Sequence, residues 1–127
     1  MPQKKPKVML RSLDPQTLRD LRQLLGTSCE LQQVQDLKSM QSVCQNGEIP
    51  LALIVEPKST AATNPNAKED LIKMLIAARH CYPSLRRVVI VDPDDLSSAI
   101  EGLHTGAIDH LLYRPFDNAG VCSALRL

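Results

Sequence analysis

The sequence predicts an α/β protein: a single, doubly wound sheet of five parallel strands with helices on both faces. Three observations carry this. Short apolar runs alternate with stretches of helical period five times along the chain, the sequence form of right-handed strand–helix–strand crossovers. Two of the runs, Leu51 to Glu56 and Arg87 to Asp92, have unbroken apolar interiors, as strands buried on both faces require. The chain has 127 residues, 43% of them hydrophobic, enough for one core and not for two.

Residues 1–6 are expected to be a flexible tail in which Lys4 and Lys5, with Lys7 just beyond, form a solvated basic cluster. The domain is expected over residues 7–127. Lys7 to Ser12 is the first strand. Asp14-Pro15 supplies an N-cap and a proline at the first helical position. Leu18, Leu21, Leu24 and Leu25 then recur at helical spacing up to Gly26. Cys29 to Val34 is a weak, polar strand suited to a sheet edge. Asp36 caps a helix whose face is Leu37, Met40, Val43 and Cys44, ended by Asn46-Gly47.

Leu51 to Glu56 is the central strand, between Pro50 and Pro57. Residues 57–66 hold two prolines and small polar side chains without period, a long surface loop. Asn66, with Glu69 three residues on, opens a helix burying Leu71, Ile72, Leu75, Ile76 and Ala78 and stopping at Pro83. Arg87 to Asp92 is the fourth strand. Asp94 or Asp95 caps a helix with Leu96, Ala99, Ile100 and Leu103, closed by Thr105-Gly106. His110 to Tyr113 is the last strand, and Asp117 starts a helix through Val121, Cys122 and Leu125.

Composition excludes several functions. Net charge is +1, so no field favours nucleic acid or a membrane surface. Phe116, Tyr82 and Tyr113 are the only aromatics, too few for a base-stacking platform. No apolar run reaches the roughly 18 residues of a membrane span, and no signal segment opens the sequence. Cys29, Cys44, Cys81 and Cys122 are widely spaced. They are read as reduced thiols packed on apolar faces, and the protein as cytoplasmic. His80, His104 and His110 lack ligand spacing, so no metal or other cofactor is expected. Neither a glycine-rich dinucleotide fingerprint nor a P-loop occurs.

Gly106-Ala107-Ile108-Asp109-His110-Leu111, followed by Arg114-Pro115-Phe116, resembles the end of the receiver domain of two-component response regulators. The likeness of element order and spacing runs from Lys7 to about Leu125. It implies a flavodoxin-like sheet in the order 2-1-3-4-5, and a cis peptide at Arg114-Pro115. It also implies a phospho-site at the C-terminal strand ends, but the residues there depart from the family's. Ser12 and Leu13 stand where the acidic pair that holds Mg²⁺ would be. Glu56 stands for the phospho-accepting aspartate, Asp92 for the hydroxyl residue ending the fourth strand, and Arg114 for the lysine. One extra residue between Gly106-Ala107 and Arg114-Pro115 leaves Tyr113 as the other candidate for the lysine position.

Leu13 removes a metal ligand, Glu56 lengthens the acceptor, and Asp92 repels a phosphoryl oxygen. The chain thus resembles a degenerate receiver, or pseudo-receiver: a signal-transduction, protein-interaction domain with no catalytic residues and no phosphorelay step of its own. The acidic mouth is read as vestigial, its charges solvated or paired with Arg114, over a permanently switched carboxylate or an acid/base pair of Glu56 and Asp92; an Arg114–Glu56 pair would lock it without metal. The expected interface is the usual receiver face, within residues 95–125, carrying Ile100, Leu103, His104, Tyr113 and Phe116. Its expected partner is a protein, either an adjacent output or kinase domain or a second copy as a homodimer. Two alternatives stay open: an atypical phospho-receiver accepting on Glu56 or Asp92, and a small-ligand module using the acidic mouth and the 57–66 loop. Some pseudo-receivers of clock systems are associated with quinones, and no residue here points to one.

Overall fold

The computed structural model describes residues 6–12, 14–26, 28–35, 37–44, 49–56, 67–91, 108–113 and 116–125. For residues 37 and 67–72 it describes the backbone alone. The 57–66 loop, the helix expected after Asp94 or Asp95, the caps at Asp36 and Asn66, and the Asn46-Gly47 stop lie outside the described residues. So do Leu13, Asp92, Ile100, Leu103, His104, Arg114 and Pro115.

The described elements run β1 (Lys7–Arg11), α1 (Pro15–Leu25), β2 (Glu30–Gln33), α2 (Leu37–Val43), β3 (Ala52–Val55), α3 (Ala67–Cys81), β4 (Arg86–Val91), β5 (His110–Tyr113) and α4 (Asn118–Leu125). The five strands form one sheet in the order β2-β1-β3-β4-β5, and every pairing is parallel. β3 lies at its centre and is buried at all four positions. β2 is an edge strand with three of four residues exposed, which its polar sequence anticipates. A helix between consecutive strands is the connection that brings the chain back parallel.

Alternation along the strands divides the core in two. Val8, Leu10, Ala52, Ile54, Val88, Ile90 and Leu112 point to one face, where Leu21 and Leu25 of α1 and Val121, Ala124 and Leu125 of α4 cover them. Met9, Leu53, Val55, Val89, Val91 and Leu111 point to the other, under Met40 of α2 and Met74, Leu75 and Ala78 of α3.

Helix α1 starts as its sequence dictates. The Asp14 side chain accepts from the Gln16 amide at 2.9 Å, and Pro15 occupies the first turn. Gly26 ends it for a different reason from the usual left-handed turn. Its φ is −57°, and its N–H donates to the Arg22 carbonyl at 2.7 Å. A Cβ there would lie 2.5 Å from that carbonyl oxygen, so close backbone approach, not φ, selects glycine.

Two expected burials are corrected. Ile76 is 52% exposed: the buried stripe runs through Met74, Leu75 and Ala78, and the next residue after Leu75 turns about 100° toward solvent. Cys81 is also exposed, whereas Cys29 and Cys44 are buried and Cys122 is intermediate.

Polar ties secure the N-terminal half of β4. Arg86 Nε donates to the Ala124 carbonyl in the last turn of α4. Arg87, only 5% exposed, reaches Asp109 through Nε at 3.0 Å and its terminal nitrogen at 3.1 Å. The Arg87 amide donates to the same carboxylate, and the Asp109 amide donates back to the Arg87 carbonyl, each at 2.8 Å. This two-point pairing fixes where the chain enters β5.

Candidate functional site

The site sits at the C-terminal end of β1 and β3, where open α/β sheets collect ligands and chemistry. Arg11 is in register with Val55, and the Glu56 amide donates to the Arg11 carbonyl at 2.9 Å. Ser12 and Glu56 therefore leave the sheet side by side. Val55 belongs to the α2–α3 face, so alternation turns Glu56 to the opposite face, toward α1.

There its carboxyl meets two hydroxyls. Ser12 Oγ donates to Oε1 at 2.6 Å. Thr17 Oγ1 lies 2.9 Å from Oε1 and 3.1 Å from Oε2. Ser12 Oγ also accepts the Asp14 amide at 3.1 Å. Glu56 is 3% exposed and Thr17 fully buried. A carboxyl at this depth needs such partners, because an unpaired polar group away from water is costly.

Thr17 was not marked by sequence reasoning, although one signal pointed to it. It continues the stripe of Leu21 and Leu25 backward by one turn, so a polar side chain sits where the helix faces the core. Ser12 and Glu56 were both expected at this mouth and are brought together. Leu13, Asp92 and Arg114 lie outside the described residues, and with them an Arg114–Glu56 pair.

Tyr113 is opposite Val91 in the β4–β5 register. It follows Leu112, which packs on the α1–α4 face with Ile54, so Tyr113 belongs to the other face from Glu56 and is 53% exposed. The Tyr113 side chain is thus on the opposite face of the sheet from the Glu56 carboxyl. Phe116 is partly buried against the α1–α4 cluster. Of the expected interface residues, the described part of the chain thus leaves Tyr113 well exposed and Phe116 packed against the core.

Burial shifts several titratable groups that lie away from this mouth. His110 opens β5, at the opposite end of the sheet; burial, and then the charge of Arg86, lower its pKa. Burial raises the Cys29 thiol, with a smaller contribution from Cys122. Burial also raises Cys44, against which a hydrogen bond with Tyr82 works. Among the described residues, no three His, Cys, Asp or Glu side chains are grouped to hold a metal ion.

Similarity to solved structures bears directly on this architecture. The signal receiver domain of a response regulator from Bacteroides fragilis superposes with a TM-score of 0.75 at 16% identity, covering 97% of this chain and 95% of that one. The receiver domain of an HD domain-containing protein from Pseudomonas fluorescens Pf-5 gives 0.72 at 23% identity, over 99% and 88%. The chain has the receiver-domain fold. A protein described as adenylate cyclase from Rhodopirellula baltica gives 0.73 at 15% identity, over 97% and 86%, and at that identity the likeness is one of fold. No family model matches the sequence, and no curated protein matches it.

Within the receiver fold, Glu56 occupies the end of the central strand, and Ser12 the end of its neighbour β1. The flavodoxin-like sheet order expected from the resemblance is the order observed.

Proposed function

We propose that this chain is a receiver-like signal-transduction module that acts through protein contact and carries out no phosphoryl transfer. The observation that carries the reading is the buried Glu56 carboxyl, held by Ser12 and Thr17 at the end of the central strand. A phospho-acceptor must present an oxygen in line with the incoming phosphorus, beside a metal that takes up the developing charge.

The residues do not fit Mg²⁺. That ion requires near-octahedral oxygen ligands, usually including one or two carboxylates. Ser12 offers a hydroxyl whose proton is directed at Glu56, and Leu13 offers no donor. At the position the resemblance gives to a hydroxyl residue the sequence has Asp92, an acidic residue that offers no such hydroxyl to a phosphoryl oxygen. Glu56 is one methylene longer than aspartate, and misplacement by about an ångström costs on the order of 10²-fold in rate.

The partner we propose is a protein: an adjacent output or kinase domain, or a second copy of the chain. The contact we propose runs through the usual receiver face within residues 95–125, with Ile100, Leu103, His104, Tyr113 and Phe116 as its candidate residues. The exposed Tyr113 ring supports this, since large exposed aromatics are favoured at contact centres. A net charge of +1 supports neither nucleic acid nor a membrane surface as partner. No helix among the described residues is long and apolar enough to cross a membrane.

Leu103→Asp tests the face. It should abolish self-association, or binding to the neighbouring domain, in sedimentation while leaving the circular dichroism melt intact. Unchanged association in a folded Leu103→Asp protein would place the contact elsewhere.

A further inference from the structure

We propose that Ser12, Thr17 and Glu56 form a constitutive tie between β1, α1 and β3, which holds the domain in one state whether or not Mg²⁺ or a phosphoryl donor is present. The proposal rests on the reading of the chain as an interaction module and adds how that module is regulated: its contact is ungated.

Three elements meet at one carboxyl. Ser12 follows β1, Thr17 stands in the first turn of α1, and Glu56 follows β3. The two hydroxyls come from 44 and 39 residues away in sequence. Each contact is within hydrogen-bond distance, and Thr17 and Glu56 are almost wholly out of water. Water therefore competes weakly for these bonds, and a low local dielectric strengthens them.

Ser12 also acts as a relay. Its oxygen accepts the Asp14 amide at 3.1 Å while its proton goes to Glu56 at 2.6 Å. Asp14 is the N-cap of α1. The start of the helix is thereby linked to the carboxyl through one hydroxyl, and again through Thr17 one turn later.

A gated site needs a ligand that binds one of two states better than the other. Here the groups around the carboxyl belong to the chain and are present at all times. Nothing has to arrive for the tie to form, so the domain is held in one state without a signal at this position.

Thr17→Val keeps the side-chain shape and removes the donor, and Thr17→Ser keeps the donor. Amide exchange over Asp14 to Leu18 and Ala52 to Glu56 reads the tie. Thr17→Val should exchange about tenfold faster or more at these positions, and Thr17→Ser should remain close to the unsubstituted protein. Ser12→Ala, at a half-buried position, should quicken exchange at Asp14 and Glu56, which keeps the test open if Thr17→Val fails to fold. The unsubstituted protein's amide spectrum should not change on adding millimolar Mg²⁺ with acetyl phosphate. Unchanged exchange in Thr17→Val or in Ser12→Ala would overturn the tie, and so would a spectrum that responds to Mg²⁺ with acetyl phosphate. Leu103→Asp reports on the contact face separately, so loss of the tie with association retained removes this proposal and leaves the interaction reading standing.

Discussion

Burying Glu56 costs free energy, and the hydroxyls of Ser12 and Thr17 offset that cost. The proposed reading predicts that restoring one residue of the receiver pattern is insufficient. Glu56→Asp shortens the side chain and draws its carboxyl back from Thr17, yet supplies no metal ligand at Ser12 or Leu13. Metal clamping contributes several kcal/mol to such reactions, and each 1.36 kcal/mol is about tenfold in rate. The single variant is therefore expected to stay unphosphorylated by acetyl phosphate with Mg²⁺. Ser12→Asp, Leu13→Asp, Glu56→Asp and Asp92→Thr together are the smallest set expected to gain activity, as read by intact mass.

His110 gives a second residue-scale prediction. Burial, and then Arg86, hold its pKa below the ordinary 6.5. Between the folded and unfolded pKa values the unfolded chain binds more protons, so stability rises with pH there and falls as pH drops through about 6.5. Urea midpoints measured at about pH 7.5 and 5.5 should show this loss, and His110→Gln should reduce it. An identical loss in the variant would assign the pH dependence to other groups.

At the scale of elements, β4 and β5 are joined by the Arg87–Asp109 pair as well as by their ladder. Asp109→Ala leaves a guanidinium buried without that carboxylate. Removing one partner of a buried pair costs roughly 3–5 kcal/mol. The Asp109 side chain is 33% exposed, and solvent screening brings the expected loss to about 2 kcal/mol. Arg87→Met with Asp109→Ala should recover much of it in urea unfolding, because the charge to be buried is gone. Equal losses in the single and double variants would show that the pair carries no special weight. The helices make a separate prediction about thiols. Cys81 is exposed and should react first with a maleimide at neutral pH, whereas Cys29 and Cys44, buried and with raised pKa values, should react only on unfolding.

Element type was legible because the periods differ. Leu51 to Val55 has no polar interruption, and only a strand covered on both faces tolerates that. Asp14-Pro15 marked the start of α1 to the residue. The Arg87–Asp109 pair was not legible, since 22 residues separate its members and only the β4–β5 register brings them together. Ile76 was misjudged because a run of apolar residues in α3 covers more than one face of the helix, and only the packed neighbours decide which side is buried.

For the whole molecule, alternation of strands and helices specified a parallel sheet but not its order. The order β2-β1-β3-β4-β5 came from the resemblance, and the sheet has it. The carboxyl at the end of β3 was legible for the same reason, as the last residue of the most apolar run. Its hydroxyl partners were less so, because Thr17 acts across 39 residues. The fold is that of receiver domains, and Ser12, Leu13, Glu56 and Asp92 together carry the proposal that phosphoryl chemistry does not accompany it.

Intact mass spectrometry after incubation with acetyl phosphate and millimolar Mg²⁺ tests that claim most directly. The account predicts an unmodified mass for the unsubstituted protein at every time point. An added mass of about 80 Da, lost on Glu56→Gln, would show that Glu56 accepts a phosphoryl group and would contradict it.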